Sequence, residues 1–181
     1  MSYKGYIKEV ADFPKDGVSF KDISPLLADE QTFRSAIVDM GSITVGLDKP
    51  PDVWIGIDAR GFLFAGALAT YFGGGVAMCR KKGKLPPPTI DSKYTTEYSD
   101  DELSIKKVLQ RDNGDGTFTD NGNRVVIVDD VLATGGTILN ANKLCQEAGY
   151  DVLGLTTLIN LKYVPRVSNF DLNVKSVITY E

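Results

Sequence analysis

Four runs along the chain are continuously apolar and rich in β-branched residues: Val53-Trp54-Ile55-Gly56-Ile57, Val76-Ala77-Met78-Cys79, Val125-Val126-Ile127-Val128 and Val152 to Ile159. Strands buried on both faces carry that pattern, whereas half-exposed strands alternate, so the runs predict a parallel sheet covered on two sides. Between them, helical patterns span Gly61 to Phe72 and Gly136 to Ala148, the second followed by Gly149, the residue type that most readily takes the left-handed turn out of a helix. Alternating strand and helix predict an α/β class with an open, mostly parallel central sheet flanked by helices. Ligands of such sheets gather beyond the carboxyl ends of the strands.

The first 51 residues read differently. Phe13-Pro14, Gly17 and Ser24-Pro25 punctuate them before an amphipathic helix expected from Thr32 to Met40. They are expected to form a small N-terminal hood over the ligand edge of a core spanning 52–181, within one domain of 1–181. Two polar segments, Arg80 to Asp101 and Gln110 to Asn123, are expected as long loops, the second a hairpin-like surface excursion. Aligning Gly116 with the glycine of a calcium loop puts Arg111 at the first ligand position and Gly122 at the last, so an EF-hand fails.

Composition narrows the chemistry. Of 181 residues, 43% are hydrophobic and 24% charged, as in folded soluble proteins. A net charge of -4 gives no general attraction to nucleic acid or to an anionic membrane. The absence of histidine removes Ser-His-Asp and Cys-His nucleophilic designs and His-containing metal sites. Cys79 and Cys145 lack CxxC spacing and are expected as buried free thiols. The uncharged run Phe62 to Cys79 is broken by Gly73-Gly74-Gly75 and is expected as helix, turn and strand, not a membrane span. With no apolar secretory stretch in Met1 to Val10, a cytoplasmic location is expected.

The strongest chemical signal is Val125 to Thr137. An apolar strand ends in Asp129-Asp130, and the small-residue loop Ala133-Thr134-Gly135-Gly136-Thr137 then opens a helix. Free N–H groups, hydroxyls and a helix N-terminus suit a phosphate monoester, and glycine lets the backbone approach it closely. The two acids would repel phosphate, so they should face hydroxyl donors or magnesium. A ligand with a sugar diol on one side and a phosphate on the other satisfies both halves. The loop is not a P-loop, since no lysine follows the glycines.

This segment resembles the 5-phosphoribosyl 1-pyrophosphate (PRPP) motif of type I phosphoribosyltransferases. Three more stretches resemble the adenine branch of that family: Phe13 to Leu27, which looks like its purine-pocket signature; Gly56 to Phe64, like its pyrophosphate turn; and Arg80 to Tyr98, like its mobile catalytic loop, here 80–101. The resemblance runs from Phe13 to Ile159. It implies that Val18, Ser19, Phe20 and Lys21 bind adenine and that Asp58, Ala59, Arg60, Arg80, Lys81 and Lys84 bind pyrophosphate. It further implies that Asp129 and Asp130 hold the ribose and that Ala133 to Thr137 hold the 5'-phosphate. Glu97 is placed near N7 of the purine and Tyr98 near the reacting sugar, with a cis peptide at Asp58-Ala59. Physically, an arginine at a helix start can meet an anion, Phe20 can stack on a purine, and a carboxylate can share the purine proton. The family commonly has Arg where Lys21 stands and Ser or Thr where Ala59 stands.

The expected activity is transfer of the phosphoribosyl group from PRPP to N9 of adenine, giving AMP and pyrophosphate. Magnesium is expected mainly through PRPP and near Asp129 and Asp130, and a homodimer is implied by the resemblance. The alternatives are a 6-oxopurine (hypoxanthine, guanine or xanthine) transferase and a non-catalytic PRPP-sensing regulator.

Overall fold

The computed structural model describes residues 3–45, 50–95, 100–107 and 109–181. The chain starts with a 3-10 turn, Tyr3–Tyr6, then the antiparallel pair β1 (Lys8–Val10) and β2 (Phe20–Asp22), and the helices α1 (Ser24–Ala28) and α2 (Glu30–Val45). Next come β3 (Val53–Ile57), α3 (Gly61–Phe72), β4 (Gly75–Lys81), β5 (Thr89–Thr95), β6 (Asp100–Lys106) and a small hairpin of β7 (Gln110–Asp112) and β8 (Phe118–Asp120). The chain continues through β9 (Arg124–Leu132), α4 (Gly136–Glu147) and β10 (Asp151–Leu161) to β11 (Val174–Tyr180).

The main sheet has the order β11-β10-β9-β3-β4-β6-β5. Strands β11 to β4 pair in parallel, and β6 and β5 add an antiparallel edge. Successive residues of a strand point to opposite faces, and here both faces are buried. Trp54, Val126 and Val128 pack with Phe64 and Leu68 of α3 and with Ile37 and Met40 of α2. Val53, Ile55, Ile57, Val125 and Ile127 pack instead with Ile138, Leu144 and Cys145 of α4. This two-sided burial is why these segments read as unbroken apolar runs.

The strand β3 and the helix α3 have the bounds the pattern predicts, while α2 extends beyond 32–40 at both ends. Gly149 has φ 83°, as expected of a residue leaving a helix. The excursion after Gln110 is a hairpin. Three expectations are corrected. The segment Arg80 to Asp101 is not a long loop throughout, because β4 runs on to Lys81 and β5 lies hydrogen-bonded against β6. The strand before the Ala133 to Thr137 loop does not end in Asp129-Asp130; it carries both acids within it and runs on to Leu132. The strand β11, outside the predicted set, pairs with β10 and buries Ile178.

Cys79 and Cys145 are free and buried, and burial pushes both thiols up, Cys145 to about 12. Among the described residues, no helix is long and apolar enough to cross a membrane.

Candidate active site

The carboxyl ends of β3, β4 and β9 bring three of the sequence motifs together. Close packing makes this possible: α3 starts so near β9 that a Cβ on Gly61 would lie 2.6 Å from the Val128 carbonyl oxygen. Only a residue without a side chain lets the helix start there, and that start fixes Arg60 beside the acids.

Arg60 is the hub. Its Nε lies 2.8 Å from Asp130 Oδ2, and its guanidinium sits 5.1 Å from the centroid of the Phe20 ring. A single side chain thus spans the base segment, the turn after β3 and the acidic strand. Asp130 is buried, yet among the described residues no hydrogen bond is directed at its Oδ2, so the contact with Arg60 is electrostatic and the oxygen can still accept a donor. Asp129 Oδ1 accepts from the Asp130 N–H at 2.9 Å. Burial pushes the Asp129 carboxyl well above the usual carboxylate range, and the neighbouring Asp130 charge adds to it. Burial raises Asp130 too, against the opposing pull of Arg60.

The peptide between Asp58 and Ala59 is cis. Asp58 donates its N–H to the Cys79 carbonyl at 2.9 Å, which ties the turn to β4, and its Oδ2 lies 3.1 Å from Arg80 Nε. Arg80 also donates to the Lys84 carbonyl at 3.2 Å, and its guanidinium lies 5.7 Å from the Phe62 ring. The basic run is therefore differentiated: Arg80 belongs to the turn, Lys82 pairs with Glu102 at 2.5 Å, and Lys81 and Lys84 are exposed. Glu97 and Tyr98 lie outside the described residues.

In the base segment, Phe20 meets Phe13 edge to face at 5.1 Å, and Val18 donates its N–H to Lys15 at 3.3 Å. Ser19 is exposed. Lys21 points the other way from Phe20, as strand alternation requires. Its buried ammonium pairs with Glu9 at 2.5 Å and lies 4.6 Å from the Tyr180 ring centroid. The side chain at the position where the resemblance leads one to expect Arg therefore anchors β2 to the end of β11, and only its backbone lies alongside Phe20.

The loop Ala133 to Gly135 joins β9 to α4. Gly135 has φ 82°, a left-handed conformation, and a Cβ there would lie 2.5 Å from the Phe170 ring. Besides Phe170, two further residues that the sequence did not single out touch this loop: Arg166 donates to the Ala133 carbonyl, and Val167 N–H donates to the Thr134 carbonyl at 2.9 Å. They lie in the irregular stretch between β10 and β11, where neither periodicity nor a motif marks them.

Asp129 and Asp130 are adjacent carboxylates that could hold a divalent cation. Among the described residues no group of three metal-ligating side chains comes together. Two carboxylates, one with an unbonded buried oxygen, suit a cation that brings most of its ligands with it.

Residues 37–176 match the family model for the phosphoribosyl transferase domain. An adenine phosphoribosyltransferase of Hydrogenovibrio crunogenus is 38% identical over 97% of this chain and 95% of its own length. The chain belongs to the adenine phosphoribosyltransferase family. Among solved structures, that of the Thermoanaerobacter pseudethanolicus adenine phosphoribosyltransferase is 37% identical with a TM-score of 0.81, covering 98% of this chain and 97% of its own. The Giardia lamblia enzyme, complexed with 9-deazaadenine, is 29% identical with a TM-score of 0.82, covering 98% and 96%. Family membership accords with the type I phosphoribosyltransferase fold expected from the sequence.

Proposed function

We propose that this chain transfers the phosphoribosyl group of PRPP to N9 of adenine, releasing AMP and pyrophosphate. The observation that carries the reading is Arg60, which touches both Phe20 and Asp130 and so places a purine-sized aromatic surface next to a diol-binding pair of acids. Adenine stacks on Phe20 with Val18 beside it, and the backbone around Ser19 and Lys21 supplies directed hydrogen bonds. Asp129 and Asp130 accept the ribose hydroxyls. Their burial, which opposes ionisation, is relieved by those donors, so the sugar gains more than it would from exposed carboxylates. The N–H groups and hydroxyls of Ala133 to Thr137 hold the 5'-phosphate.

As N9 attacks C1 of the ribose, the bond from C1 to the pyrophosphate oxygen breaks and its electrons leave with pyrophosphate. Arg60, Arg80, Lys81 and Lys84, with the backbone of Asp58 and Ala59, meet that growing charge. Arg60 is partly exposed and can exchange its Asp130 contact for the leaving group. Glu97 shares the proton of the purine ring and Tyr98 stands by the sugar, both roles resting on the sequence resemblance. Asp129 and Asp130 would border a magnesium ion carried mainly by PRPP, and such an ion would supply charge neutralisation to the diphosphate.

A homodimer belongs to the same reading. By register, Val76 pairs with Trp54 and Met78 with Gly56, so both share the sheet face that α3 covers, yet both are exposed, as are Leu63 and Tyr71 on α3. This apolar surface adjoins the pyrophosphate turn and suits a second copy of the chain. Sedimentation of the purified protein at twice the chain mass is expected.

The activity is tested by steady-state assay of PRPP with adenine, hypoxanthine, guanine and xanthine in turn. AMP formation with a clear adenine preference is expected. Preference for an oxopurine would refute the base assignment, and turnover of none would refute the enzyme reading.

A further inference from the structure

Between β10 and β11 the chain runs through residues 162–173 without regular structure, and the Arg166 side chain and the Val167 N–H within it bond to the phosphate loop. Arg166 is the centre of that contact. Its Nη1 donates to the Ala133 carbonyl and also reaches the carbonyls of Leu161 at 3.1 Å and Val164 at 3.3 Å, while Nη2 donates to Asn160 Oδ1 at 2.5 Å. One planar fork therefore ties the end of β10, the strap after it and the phosphate loop together. Val167 N–H adds the bond to the Thr134 carbonyl at 2.9 Å. Phe170 lies against the Gly135 backbone, with the Arg166 guanidinium 5.8 Å from its ring centroid.

The orientation of these bonds has a chemical consequence. In a trans peptide the C=O and the following N–H point in opposite directions. Drawing the Ala133 carbonyl toward Arg166 turns the Thr134 N–H away from the strap, and drawing the Thr134 carbonyl toward Val167 does the same to the Gly135 N–H. Two successive donors are thereby aimed to the side of the loop opposite the strap. We infer that Arg166 is a positioning residue that shapes the 5'-phosphate loop from behind, so that the affinity for a phosphate monoester depends on a side chain that does not itself carry the monoester. The inference rests on the proposed function of Ala133 to Thr137.

Binding of AMP and of adenine, measured separately by calorimetry, tests it. Both ligands carry the base, and only AMP carries the monoester, so a general loss of structure lowers both affinities while a misshaped phosphate loop lowers one. In R166Q, AMP affinity is expected to fall about tenfold or more, the scale of one charge-assisted hydrogen bond, with adenine affinity kept within about twofold. R166K keeps the charge without the fork and is expected to recover only part of the loss. N160A keeps the guanidinium but removes the Nη2 acceptor, and is expected to show a smaller loss of the same kind. In steady state, KM for PRPP should rise more than KM for adenine.

Equal losses for AMP and adenine, or unchanged AMP binding, would overturn the inference. If R166Q does not fold, R166K and N160A decide: unchanged AMP affinity in both overturns it. Failure of the wild-type protein to bind either ligand would sink the proposed function and this inference together. Normal wild-type binding with normal binding in the variants would sink this inference alone.

Discussion

Replacing Gly61 with alanine tests whether the start of α3 is what holds Arg60 against the acids. The added Cβ would lie 2.6 Å from the Val128 carbonyl oxygen and 3.3 Å from Asp129 Cα and Oδ1. Carbon-to-oxygen contacts settle at roughly 3.3–3.6 Å, so helix and strand must separate by about 0.7 to 1 Å. Crowding of this sort costs about 1–3 kcal/mol, and the better helix propensity of alanine offsets at most about 1. The net cost is then up to about 3 kcal/mol, and for a chain of this size each kcal/mol lowers Tm by about 2–4 °C, so a fall of up to about 12 °C is expected. The same separation moves Arg60 from its 2.8 Å contact with Asp130, and misplacement near 1 Å can cost about a hundredfold in rate. Thermal unfolding and kcat/KM for AMP formation are the assays. Gly66→Ala is the control: nothing lies within 4 Å of a Cβ there, so Tm should rise slightly and kcat/KM stay put. If G61A and G66A behaved alike in both assays, the close approach at Gly61 would not matter and the reasoning would be wrong.

The pH dependence of stability follows from the acids. Asp129 and Asp130 ionise at higher pH in the folded chain than in the unfolded one, so the folded state holds more protons between the ordinary carboxylate pKa, about 3.9, and the raised values. Their contribution is full below that window and is lost as pH rises through it. In Asp129→Asn this loss should be reduced, so a Tm series from acid to neutral pH should fall less steeply than in the wild type while AMP formation drops by orders of magnitude; parallel Tm curves would refute the linkage. Glu97→Gln should cut turnover strongly with Tm unchanged, and full activity in that variant would remove Glu97 from the mechanism. Chelating magnesium should abolish AMP formation without shifting the Tm of the free protein, because no cluster of three ligands stands among the described residues; a lowered Tm would reveal a resident structural ion.

What the sequence disclosed and what it hid have physical reasons. The strand β3 and the helix α3 were legible because strands buried on both faces are unbroken apolar runs and because Gly61 and Gly73 bracket the helix. The strands β5, β6 and β11 were not, since strands with a mixed polar pattern, two of them at the sheet's edges, look like loops until a partner strand is known. The acids at 129 and 130 were found through their chemistry, but their place inside β9 depends on pairing with β10, Thr157 opposite Asp129, which lies far along the chain. Nothing local to Lys21 signals its attachment to Glu9 and Tyr180, which joins β2 to β1 and to the end of β11. Arg166 gave no local signal at all. Its role is defined by carbonyl groups, which every residue possesses and no sequence pattern reports.

The proposed receptor is β9 with the loop after it, acids for the sugar diol and backbone donors for its phosphate. Titration calorimetry of PRPP with magnesium, comparing the wild-type chain with the D129N/D130N double variant, addresses it directly. Saturable binding to the wild type with one site per chain, severely weakened in the double variant, is the predicted result. Absence of binding to the wild type, or equal affinity in the two proteins, would contradict it.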